Sequence, residues 1–93
     1  MSRPEAHEPL VVLYGREGCH LCEDALAVIE RVARRVTFSL EQRDIDGDDR
    51  LLLRYLERIP VVTIDGRERF ELFVDEDALE QALRKPKRGR GRQ

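Results

Sequence analysis

The only two cysteines of the chain stand as Cys19-His20-Leu21-Cys22, between an apolar run and a helical repeat. Leu10-Val11-Val12-Leu13-Tyr14 reads as a short buried strand. From Glu23 to Val36, apolar residues recur at Ala25, Val28, Ile29, Val32 and Val36, the spacing of one helix face. The chain must therefore present a pair of thiols in the loop that leads from a strand into a helix. That placement points to redox chemistry. A disulfide across three residues closes too small a loop to add much stability through chain entropy, so the pair is not there as a staple.

The 93 residues make one domain, near the lower end of what buries an adequate core unaided. Two cysteines cannot build the disulfide framework of a small secreted protein. The longest apolar run is Leu10–Tyr14, and a membrane span needs about 20 such residues. Met1 to Pro9 carries two acids and two prolines with no apolar stretch, unlike a signal peptide. A cytoplasmic location with no membrane partner is the expectation, and in that setting a C-x-x-C is catalytic or metal-binding. Zinc takes four ligands. Only His7 and His20 are left to join the cysteines, so redox chemistry is favoured and no metal is expected.

Six of the 17 basic residues fall within Arg84–Gln93, which leaves residues 1–83 with 11 basic and 19 acidic groups, a net of −8. An acidic body is followed by a basic tail. The expected organisation is a flexible lead-in at 1–9, a domain at 10–83 and a disordered basic tail at 84–93.

Along the domain, Val36 to Gln42 alternates apolar and polar residues like a half-buried strand. The acids from Asp44 to Asp49 suit a loop that caps a helix running from Asp48 to Glu57, with Leu51, Leu52, Tyr55 and Leu56 inward. A cation site there is disfavoured, because the cluster lacks the ligand ladder of an EF-hand. Ile59 to Ile64 is a β-branched strand entered through Pro60. Asp65-Gly66 is a hairpin turn into a strand at Arg69–Phe73. Asp75 caps a last helix from Glu76 to Arg84, with Ala78, Leu79, Ala82 and Leu83 inward. The order β-α-β-α-β-β-α gives an α/β fold: a four-stranded mixed sheet, helices on both faces and a right-handed crossover at the start.

Placing Cys19 at a helix N-terminus aims free backbone N–H groups and the positive dipole end at its sulfur, which favours the thiolate. Cys22 falls one turn further on the same face. Cys19 is thus the expected nucleophile and Cys22 the resolving residue. Gly18 lets the chain turn into the helix, while Arg16 and His20 are expected to add positive charge near the sulfur.

The segment Tyr14-Gly15-Arg16-Glu17-Gly18-Cys19-His20-Leu21-Cys22-Glu23 resembles the active-site segment of glutaredoxins. It is closer to the small bacterial glutaredoxin-like proteins with a G-C-H-L-C signature. The resemblance spans Leu10 to Leu83 and implies a thioredoxin-like, glutaredoxin-sized fold. In that layout Ile59-Pro60-Val61-Val62 matches the cis-proline segment, where Ile59 offers backbone groups to a substrate. Arg16 falls where glutaredoxins often carry a lysine that contacts glutathione, and Tyr14 where a tyrosine often precedes the active site, so the resemblance implies that Tyr14, Ile59 and Pro60 contact the substrate. The chain departs from glutaredoxins at His20-Leu21, where they have Pro-Tyr. It departs again at Phe70–Asp75, where a Gly-Gly turn is replaced by bulky residues.

The resemblance implies a thiol–disulfide oxidoreductase acting, as a monomer, on protein or low-molecular-weight disulfides in cell redox homeostasis. No tightly bound cofactor is expected, and glutathione is a candidate reductant. The alternative is a non-enzymatic binding module whose basic tail holds a protein or polyanion such as nucleic acid. The tail lacks aromatic residues for base stacking, which weighs against nucleic acid.

Overall fold

A computed structural model of the chain describes residues 8–84. Its elements are β1 (Leu10–Gly15), α1 (His20–Ala33), β2 (Ser39–Asp44), α2 (Asp49–Tyr55), β3 (Val61–Ile64), β4 (Arg67–Glu71) and α3 (Glu76–Arg84), with a 3-10 turn at Ile45–Gly47 ahead of α2. The strands form one sheet in the order β2-β1-β3-β4. β1 runs parallel to β2 and antiparallel to β3, and β3 is antiparallel to β4.

Side-chain alternation along β1 and β3 sorts the core onto two faces. Val11 and Leu13 of β1, with Val62 and Ile64 of β3, pack against Ala25, Ile29 and Val32 of α1 and Leu79 and Leu83 of α3. The intervening Tyr14 and Val61 face the other way, against Ile45, Leu51, Leu52 and Tyr55. Ile29, Ile45 and Leu79 are completely buried. Each such side chain contributes about 1.5–3 kcal/mol of burial free energy. Tyr14 and Tyr55 lie 4.7 Å apart between ring centroids, so α2 docks partly by aromatic contact. Burial, aided by the nearby Glu68 carboxylate, pushes the Tyr55 hydroxyl to a higher pKa than usual.

Caps set the ends of the helices. Asp48 caps α2 by accepting from the N–H groups of Arg50 and Leu51 at 2.9 and 3.3 Å. Asp75 accepts from Ala78 N–H at 3.2 Å at the start of α3. Asp65 and Gly66 both take positive φ, 52° and 87°, which suits a two-residue hairpin.

Several boundaries differ from the sequence-based expectations. α1 begins at His20 and ends at Ala33, earlier than Glu23–Val36 at both ends. β2 starts at Ser39, where pairing with Leu10 begins, so Val36–Phe38 form a connection instead of a strand. α2 stops at Tyr55, and Leu56 is exposed instead of inward. β3 starts at Val61, after Pro60, and β4 occupies Arg67–Glu71 instead of Arg69–Phe73. Pro9 and Glu8, assigned to the lead-in, are tied to β2: Ser39 donates to Pro9 O at 2.9 Å and to Glu8 Oε1 at 3.2 Å. Arg84, assigned to the tail, ends α3 and pairs with Glu80. The rest of the expected lead-in and tail lies outside the described residues.

Candidate active site

The site is assembled where β1 hands over to α1. Arg16, Glu17, Gly18 and Cys19 make a turn closed by Cys19 N–H donating to Arg16 O at 3.3 Å. Gly18 sits at φ +81° in its third position, the place where such a turn requires positive φ. Cys19 follows as the N-cap of α1, with extended backbone at φ −94°, ψ 109°. Its carbonyl accepts from Glu23 N–H at 3.1 Å and its sulfur from Cys22 N–H at 3.1 Å. A cysteine therefore fills the role that serine or aspartate fills at other helix starts. The same N–H that meets Sγ here would stabilise a thiolate in the reduced pair.

Cys19 and Cys22 form a disulfide, with Cα atoms 5.2 Å apart. Their surroundings are unequal. Cys19 is half-buried, while Cys22 is 7% exposed. Cys22 rests against the end of β1: a Cβ built on Gly15 would lie 2.9 Å from Cys22 Sγ and 3.1 Å from its Cβ. Gly15 therefore grants the close approach that seats the second cysteine, and it was not among the residues singled out from sequence. The only signal was a glycine at the end of the first strand.

The antiparallel register that pairs Tyr14 with Val61, carried one residue further, brings Pro60 beside Gly15. Pro60 is buried, and the Ile59–Pro60 peptide bond is cis. Leu72 N–H donates to Pro60 O at 2.8 Å and to Arg58 O at 3.2 Å, with Leu72 itself at φ 70°. Leu72 thus adopts a backbone region that glycine fills more readily, in the stretch where glutaredoxins have their glycines. Among the described residues, no backbone group bonds to the N–H or C=O of Ile59.

Three supporting residues sit differently from expectation. The Arg16 guanidinium is engaged by Asp46, with Nη2 to Oδ1 at 2.8 Å and Nε to Oδ2 at 3.3 Å, so its charge is already matched. The sequence could not pair them, because the contact spans 30 residues. The His20 side chain is 93% exposed and lies 3.6 Å from Glu23, projecting into solvent alongside an acid. Tyr14 is half-buried against Tyr55 on the α2 side of the sheet, opposite the face on which Gly15 meets Cys22. Its position makes it a packing residue.

The fold and this dithiol place the chain among thioredoxin-type proteins. The family model for the glutaredoxin-like domain (DUF836) matches residues 10–84. The chain belongs to that glutaredoxin-like family. An uncharacterized protein of Mycobacterium tuberculosis, Rv0508, is 32% identical over 84 residues, spanning 85% of this chain and 81% of the relative. The solution structure of protein Ne2328 from Nitrosomonas europaea is 35% identical with a TM-score of 0.73, covering 83% of this chain and 93% of that one. The X-ray structure of protein XcR50 from X. campestris is 32% identical with a TM-score of 0.67, covering 78% and 93%. A mutant thioredoxin from Halobacterium salinarum shares the fold at 22% identity, with a TM-score of 0.63 and coverage of 84% and 74%.

Proposed function

We propose that the protein is a thiol–disulfide oxidoreductase in which Cys19 attacks and Cys22 resolves. The observation that carries this reading is the inequality of the two sulfurs. Cys19 is the more accessible and caps a helix N-terminus, whereas Cys22 is sealed against Gly15. An attacking thiol needs both access and thiolate character. A resolving thiol needs only to reach its neighbour.

In the forward direction the Cys19 thiolate bonds to one sulfur of a substrate disulfide, and the other substrate sulfur leaves as a thiolate that takes a proton from solvent. The Cys22 thiolate then attacks Cys19 Sγ, releasing the second substrate thiol and leaving the Cys19–Cys22 disulfide. A thiol reductant, with glutathione a candidate, returns the pair to the dithiol. The free backbone groups of Ile59, next to Pro60, offer one hydrogen-bonding edge to an extended substrate. The substrates in this reading are protein or small-molecule disulfides of the cytoplasm.

The test is reduction of a neutral small disulfide, such as hydroxyethyl disulfide, coupled to a thiol reductant. Cys19→Ser is expected to abolish turnover. Cys22→Ser is expected to accumulate a mixed disulfide on Cys19, visible by mass spectrometry. An inactive wild-type protein whose Cys19 alkylates with the pH dependence of an ordinary thiol would refute the proposal.

A further inference from the structure

Between Gly15 and Glu30 the chain carries one arginine and no lysine. That arginine, Arg16, opens the turn that ends at Cys19. As the arginine of the turn that delivers Cys19, it can meet the carboxylate of a substrate whose disulfide is at the Cys19 sulfur. Its guanidinium is instead gripped by both carboxylate oxygens of Asp46, which lies in the 3-10 turn after β2. β1 and β2 are parallel, with Gly15 paired to Asp44, so both turns emerge from the same end of the sheet.

The partners are about two-fifths exposed, 39% for Arg16 and 43% for Asp46, so the pair faces solvent and an incoming anion competes with Asp46 directly. Exposed pairs of this kind are weak, so they bias a selection without enforcing it.

The geometry points to Asp46 as a specificity-determining residue: by occupying Arg16 it turns the site away from carboxylate-bearing disulfides and towards neutral ones. Asp46 touches no reacting atom. It acts through Arg16. An approaching carboxylate must displace the Asp46 oxygens before it gains a guanidinium partner, and it meets the Asp46 charge until it does. A neutral disulfide faces neither cost. The substrate meaning of this inference rests on the thiol–disulfide reading above, but its electrostatic core does not.

Alkylation of Cys19 in the reduced protein reads the effect without turnover. Iodoacetate is an anion and iodoacetamide is neutral, and the ratio of their rates cancels the fraction of Cys19 present as thiolate. At low ionic strength Asp46→Asn is expected to raise the iodoacetate-to-iodoacetamide ratio about 1.4- to fivefold, the scale of one exposed pair. The rise should shrink with added salt and disappear when Arg16→Gln is combined with Asp46→Asn. Asp49→Asn removes a like charge from the neighbouring helix start without freeing Arg16, and should give a clearly smaller change. An unchanged ratio in Asp46→Asn would overturn the inference. So would a rise that Asp49→Asn matches, or one that survives loss of Arg16. The same ratio is then read in turnover, with the dianion dithiodipropionate against hydroxyethyl disulfide. Absence of all turnover alongside the predicted alkylation pattern would count against the oxidoreductase reading alone, whereas turnover with no change in either ratio would count against Asp46.

Discussion

At the scale of single residues, the seat of Cys22 depends on an atom that is missing. A methyl group on Gly15 would overlap Cys22 Sγ at 2.9 Å, a separation that real Cβ atoms essentially never show. Gly15→Ala should therefore push Cys22 off the end of β1. The expected cost is about 1–3 kcal/mol, as for other overpacked sites, read from the denaturant midpoint, with Cys22 alkylating faster in the reduced protein. Unchanged stability and an unchanged Cys22 rate would show that α1 moves away freely. The two cysteines and the turn glycine could be picked out from sequence because local spacing defines them, and Pro60 through the resemblance to glutaredoxins. Gly15 could not, because its role arises only when α1 docks on β1. The same reason hid Asp46, which reaches Arg16 from a different turn, and it made His20 look like a partner of the sulfur when its side chain turns outward to Glu23.

At the scale of elements, α1 and α3 are joined on the surface by a chain of charges. Arg31 and Arg35 reach Glu76, Arg35 also reaches Glu80, and Glu80 is shared with Arg84. Hydrogen bonds from Arg35, then from Arg31 or Arg84, hold the Glu76 and Glu80 carboxyls below the usual carboxylate range. The unfolded chain, without these partners, takes up protons at higher pH than the native protein. The contribution is therefore fully present above about pH 4.3, the ordinary glutamate value, and is lost as pH falls through the depressed native values. A Glu76→Gln/Glu80→Gln variant should lose less of its denaturant midpoint than the wild type over that acidic range. Parallel curves would mean that the network contributes nothing. The order and type of all seven elements were legible from periodicity and turn residues, but their ends were not. Alternation from Val36 to Gln42 imitated a strand, yet the ladder with β1 starts only at Ser39, because pairing and not pattern decides where a strand begins.

At the scale of the whole molecule, the sheet order β2-β1-β3-β4 sets the site at one end of the central strands. β1 delivers Cys19 through its turn, and β3, antiparallel to it, begins just after the cis Pro60. No helix among the described residues is long and apolar enough to cross a membrane. The division into an acidic body and a basic tail is plain in the sequence. On the proposed function, Cys19–Cys22 is an exchanging redox couple and not a closed crosslink. The most direct measurement is the reduction potential of the pair, taken by equilibrating the protein with graded ratios of reduced and oxidised glutathione and counting free thiols. The expected result is a reversible two-electron couple between about −270 and −120 mV, the span of known C-x-x-C proteins. A disulfide that stays closed throughout, with a potential below about −300 mV, would be the mark of a structural bond and would contradict it.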